Sequence, residues 1–141
     1  MSTIPSHLET LIDRLQTTGI AFKSRLADRI GVLSAAYAID YNARNLSVRS
    51  LSCLIDFLEA SPSSNYPDIT ATPAGDIYAE WRGPQGHLLT IEFLDSGEAR
   101  YLHFRPNPKH PHRTDRLSGT TTADALSETV VPLVMMTGLA A

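Results

Sequence analysis

The apolar residues of this chain change their spacing part-way along it, and that change limits the possible folds more than any other feature. From Leu8 to Leu58 they recur every three or four positions, as on a helix with one buried face. From Ile69 to Phe104 they recur every second position, as on a strand. Between the two regions stands Ser61-Pro62-Ser63-Ser64-Asn65-Tyr66-Pro67, whose prolines remove backbone donors and restrict the residues before them. Helices ahead of this connector and strands behind it make an α+β chain.

Ser6-His7-Leu8-Glu9 has the form of a capping box, so a first helix starts there, buries Leu8, Leu11, Ile12 and Leu15, and ends near Gly19. Leu26, Ile30, Leu33, Ala36 and Tyr37 predict a second helix from Ser24 to Tyr41. Ser47 is the expected cap of a third, with Leu51, Leu54, Ile55 and Leu58 on its core face and a stop before Pro62. The helical part thus covers about residues 6–60.

Beyond the connector, Asp68 to Thr72 and Asp76 to Arg82 flank the turn Pro73-Ala74-Gly75. Gly83-Pro84-Gln85-Gly86 leads into His87 to Leu94, and Asp95-Ser96-Gly97 into Glu98 to Phe104. Connections this short require antiparallel neighbours, so residues 68–104 predict a four-stranded antiparallel meander with Ile77, Ala79 and Trp81 facing inward and Trp81 anchoring the core. Residues 105–122, rich in proline, histidine and basic groups, are expected as a loop. Ala123, Leu126, Val130, Leu133 and Val134 predict a terminal helix over about 123–136, distorted at Pro132. The meander would then be packed by the N-terminal helices and this C-terminal one.

With 141 residues, 43% apolar and 19% charged, the chain has the size and composition of one globular domain, 1–141. Its net charge of -3 argues against attraction of the whole molecule to nucleic acid or an anionic membrane. Glu9 and Asp13 interrupt the first apolar pattern, which does not suit a secretory leader. Val130 to Leu139 is about half the length a bilayer span needs. A lone cysteine, Cys53, forms no internal disulfide. A cytoplasmic location is expected.

Ile39-Asp40-Tyr41-Asn42-Ala43-Arg44-Asn45-Leu46-Ser47, the helix after it, Pro67-Asp68-Ile69, and Ala71 through Trp81 carry a resemblance. They resemble a group of small uncharacterised bacterial proteins sharing an Asp-Tyr-Asn-Ala helix-entry element and a Pro-x-Gly-x-Ile-x-x-Glu-Trp hairpin. The resemblance covers residues 39–104, with Ala38-Ile39 standing where the group has an aromatic residue. It implies no particular activity, but company with antitoxin, mobile-element and defence-associated products.

Four clusters carry the candidate chemistry. Arg105, Lys109, Arg113 and Arg116, opposed only by Asp115 and accompanied by His110 and His112, form a basic segment suited to an acidic partner. That segment holds no aromatic residue to stack on bases, which weakens a nucleic-acid reading. Asp40, Tyr41, Asn42 and Arg44 make a polar break between helices that serves either a ligand or, more simply, a helix end. Glu80 and Glu92 could pair as general acid and base, but share their face with Arg82 and Arg100, as surface ion pairs do. His103, His110 and His112 offer imidazoles without further ligands at metal spacing, so no metal or cofactor is expected.

Cys53, beside an apolar face, reads as a small core residue. Gly-x-Ser-x-Gly, Gly-x-Gly-x-x-Gly and phosphate-loop patterns are absent. The expectation is a small non-enzymatic regulator or inhibitor that binds another protein, antitoxin-like in kind, and able to form a homodimer through a strand edge or an amphipathic helix. The alternatives are a small enzyme or ligand-binding domain built on the sheet carboxylates and loop histidines, and a nucleic-acid binder using the basic segment.

Overall fold

The computed structural model describes residues 6–61, 65–110, 112–126 and 128–129. The change of period separates two layers. Three helices, α1 (Ser6–Gln16), α2 (Lys23–Asp40) and α3 (Val48–Ala60), precede five strands, β1 (Asp68–Ala71), β2 (Ile77–Arg82), β3 (Leu88–Phe93), β4 (Glu98–Pro106) and β5 (Thr114–Thr122). All neighbouring strands are antiparallel, in the order β1-β2-β3-β4-β5.

The core lies between α1, α2 and α3 and one face of the sheet. Ile69, Ile77, Ala79, Trp81, Leu89, Ile91, Phe93 and Ala99 are buried there with the stripes of the helices. Trp81 is the anchor its sequence position predicts: its indole N–H donates to Asn65 O (2.9 Å), and its ring meets Phe57 edge-on at 5.7 Å. Phe57 reaches Phe93 at 6.1 Å and so joins α3 to two strands. Burial of such rings supplies most of the force that holds the layers together.

Short polar contacts fix how α3 sits. Ser47 caps it as expected, accepting from Ser50 N (3.0 Å), while its hydroxyl donates to Asp95 Oδ1 (2.6 Å) and its amide to Gly75 O (2.8 Å). One cap residue therefore ties the helix to two hairpin turns. Gly75 adopts φ +87, and a side chain there would press on the Tyr37 hydroxyl, which donates to Pro73 O (2.8 Å). Glycine answers both demands.

The sheet has five strands rather than the expected four. The region expected as a loop, 105–122, contains the end of β4 and all of β5. Two residues that argue against a strand are tolerated by position. Pro106 lies beyond Phe104, the partner of Leu88 at the start of β3, so its missing N–H costs no ladder bond there. Gly119 lies under the Tyr101 ring, whose hydroxyl would be 2.5 Å from an added Cβ. A glycine in an edge strand covered by an aromatic neighbour is a stable pairing.

Two further expectations change. Ala36, placed on the core stripe of α2, is exposed. Of the terminal helix expected over 123–136, residues 123–126 and 128–129 are helical and Leu126 is fully buried, while Pro132 lies outside the described residues. No helix among the described residues is long and apolar enough to cross a membrane.

Candidate functional site

β5 reads Thr114-Asp115-Arg116-Leu117-Ser118-Gly119-Thr120-Thr121-Thr122, and its one large apolar residue, Leu117, is 45% exposed. Its ladder phase follows from both ends. Asn107 N donates to Arg113 O (2.9 Å), and Ala123 N donates to Gly97 O (2.8 Å). Bonded and non-bonded pairs alternate along an antiparallel ladder. Asp115, Leu117, Gly119 and Thr121 therefore bond to β4, whereas Arg116, Ser118 and Thr120 turn both N–H and C=O away from it. Pro106, which has no N–H, faces Thr114 in a non-bonded pair, as this phase requires.

The opposite edge is managed differently. β1 has four residues, and the bond from Thr72 N to Asp76 O (2.8 Å) turns the main chain of Ile69 outward. Arg29 of α2 donates to Ile69 O from Nε (3.1 Å) and Nη2 (2.9 Å). A charged side chain thus occupies that edge, while the nine residues of β5 have no such cover among the described residues.

The outward side chains of β5 belong to the face of the sheet that turns away from the helices. Across the strands this face runs in rows: Tyr78, Glu92, Arg100 and Thr120; Glu80, Thr90, Leu102 and Ser118; Arg82, Leu88, Phe104 and Arg116. Between the first two rows lies a shallow depression of about 360 Å³, reaching from Tyr78 to Thr120. Comparison with protein-family models, curated proteins and solved structures found no match. The chemistry of this edge and face is therefore argued from the residues themselves.

The basic residues of the segment all fall on the β4–β5 hairpin, though not on one surface. Arg105 and Arg116 point to opposite faces of the sheet, and Lys109, His110, His112 and Arg113 are exposed at the tip. Asn107 shapes that tip: its side-chain oxygen accepts from Lys109 N (2.8 Å) and His110 N (2.9 Å), and its amide group donates to Asp115 Oδ1 (3.0 Å). The nearest acid is thereby engaged by a neutral partner. No ion pair joins Arg105, Lys109, Arg113 or Arg116 to an acid among the described residues.

The remaining candidates are dispersed. Glu80 lies 3.1 Å from Arg82 and Glu92 4.0 Å from Arg100, so each carboxylate has its own arginine. His103 is on the other face of the sheet, where it is 1% exposed and neither ring nitrogen has a hydrogen-bond partner among the described residues. His87 stacks on it at 6.0 Å. Burial, then His87 and Arg105, hold the His103 imidazole below its ordinary pKa. No three of His, Cys, Asp and Glu among the described residues are grouped to hold a metal ion. Burial raises the Cys53 thiol, with Asp56 adding to the effect, which opposes thiolate formation.

Asp40, Tyr41, Asn42 and Arg44 close α2. Tyr41 is its C-cap, with N donating to Tyr37 O (2.9 Å), and Ala43 N donates to Ala38 O (2.7 Å). That reach from Ala43 back to Ala38 is a Schellman closure, with Asn42 in the left-handed conformation at φ 56. The sequence reasoning missed Ser118 and Thr120 as edge residues and Leu88 and Phe104 as neighbours of Arg116. The β-branched run Thr120-Thr121-Thr122 was the one signal that pointed to a strand.

Proposed function

We propose that the protein is a small non-enzymatic regulator or inhibitor that binds another protein by taking an extended segment of it as an added strand along β5. The observation that carries this reading is the contrast between the two edges, one held by Arg29 and the other open at Arg116, Ser118 and Thr120. Main-chain bonding supplies affinity in strand addition, and side-chain pockets supply selectivity. Arg116 beside the edge and Arg113 at the tip favour acidic side chains in the added segment. An antitoxin-like role within the cytoplasm agrees with the resemblance noted for residues 39–104.

Ser118→Pro tests it. The amide of Ser118 points outward, so proline there removes an edge donor without removing a bond to β4. Partners captured from the native host by the wild type should be lost with Ser118→Pro while the circular dichroism spectrum is retained. Undiminished capture by Ser118→Pro would refute strand addition.

A second reading, single-stranded nucleic acid, is favoured by Phe104 standing between Leu88 and Arg116 in the row that ends at Arg82. Such binding would survive Ser118→Pro, fail in Phe104→Ala and weaken steeply with salt.

A further inference from the structure

The helix α2 carries two apolar faces. Leu26, Ile30, Leu33 and Tyr37 are buried against the rest of the molecule, while Val32 and Ile39 are 58% and 81% exposed. Ala35, Ala36 and Ala43 are exposed with them. Positions 32, 35, 36 and 39 recur at three and four, so they form one stripe on the outer side of the helix, while Ala43 lies just past its C-cap. A helix with apolar groups on both sides is ordinarily covered on both.

From the order of residues in this stripe we infer that it pairs with the same stripe of a second copy of the chain, the two α2 helices running antiparallel about a two-fold axis between Ala35 and Ala36. A larger aliphatic residue, two alanines and a larger aliphatic residue read alike from either end. Val32 and Ile39 are equidistant from that axis, as are Ala35 and Ala36. Antiparallel pairing therefore sets Val32 against Ile39 of the partner subunit, and lets the helices approach closely at the alanines.

Charge and shape agree with that occupant. Asp28 lies in the N-terminal part of α2 and Arg44 just past its C-terminal cap, so antiparallel pairing brings Asp28 toward the end of the helix that Arg44 of the partner subunit follows, and by symmetry this happens twice. Asp28 and Arg44 are both exposed, and neither has an ion-pair partner among the described residues. Beside Val32 lies a recess of about 510 Å³ between α2 and β1, bounded by Asp28, Arg29, Tyr66 and Ile69. It receives the side chain that faces Val32, which is Ile39 of the partner subunit.

A stripe of this length is smaller than a standard interface of roughly 1,600 Å², so the expected dissociation constant is in the micromolar range. Sedimentation equilibrium from about 5 to 500 μM brackets that range. The wild type should pass from monomer to dimer, and Ile39→Glu should raise the dissociation constant roughly a hundredfold, since each substitution acts twice in a two-fold interface. Asp28→Arg and Arg44→Asp should each weaken the dimer, and combining them should restore it. Thermal melting of the Ile39→Glu monomer should be unchanged, because the side chain replaced is exposed. A wild type that stays monomeric throughout overturns the inference. So does a dimer that survives Ile39→Glu, or a dimer abolished by Ser118→Pro instead.

Discussion

Replacing Ser50 with alanine removes one hydroxyl from α3 and, by the geometry, breaks two bonds that join this helix to the sheet. Ser50 is 0% exposed; its Oγ donates to Phe93 O (2.5 Å) and accepts from Ile77 N (2.7 Å). Ile77 and Phe93 are paired residues of β2 and β3, so the hydroxyl bridges the end of that ladder from α3. Alanine leaves a buried donor and a buried acceptor, each costing about 1–3 kcal/mol when unsatisfied. The expected loss is about 2–4 kcal/mol, a large share of the roughly 5–15 kcal/mol that holds a domain folded. Urea unfolding followed by the fluorescence of Trp81, the one tryptophan, measures it, with an unchanged slope showing that the unfolded state is unaltered. Ser52→Ala on the same helix is the control: Ser52 accepts from Arg14 Nη1 (3.2 Å) at a half-buried site and should cost under about 0.5 kcal/mol. A loss below about 1 kcal/mol for Ser50→Ala would mean that Ile77 and Phe93 bond directly once the hydroxyl is gone.

Two other outcomes follow from the same geometry. The His103 pKa is lower folded than unfolded, so as pH falls below about 6.5 the unfolded chain takes up a proton that the native state resists. Stability is then lost from that pH down through the depressed folded value, at up to about 1.4 kcal/mol per pH unit; His103→Leu should flatten the profile between pH 5 and 7, and parallel profiles would disprove it. Ala43→Gly relieves a left-handed alanine at φ 63, worth about 1–2 kcal/mol, against the greater flexibility of unfolded glycine, for a net gain of about 0.5–1 kcal/mol in urea unfolding. A loss of stability there would show that the alanine is unstrained.

What the sequence revealed depended on whether a residue faced a core. Ile77, Ala79 and Trp81 alternate with Tyr78, Glu80 and Arg82 because one side of β2 is buried, and that alternation identifies the strand. β5 has no buried side, so its residues follow no alternation, and its glycine and the proline before it read as loop. Ala36 was misplaced because α2 is apolar on two sides, and a helical stripe is ambiguous when both sides qualify. The basic residues were visible by composition. Their gathering on a hairpin was not, because it depends on β5 pairing with β4. The open edge itself is made of main-chain groups, which no residue type encodes.

The order of the strands decides whether the two proposed surfaces compete. α2 packs beside β1, as the Arg29 bonds to Ile69 show, whereas β5 ends the sheet on the other side of β2, β3 and β4. With neighbouring strands about 4.8 Å apart, the two edges are separated by roughly 19 Å. A second copy on the outer stripe of α2 would therefore cover the edge already closed by Arg29 and leave Arg116, Ser118 and Thr120 accessible. The dimer would carry two open β5 edges related by the two-fold axis. A partner that is itself dimeric would be held at both edges and dissociate more slowly than either strand contact alone permits. Polar side chains along β5 fit that arrangement, since an edge kept open for a partner must also resist uncontrolled sheet growth.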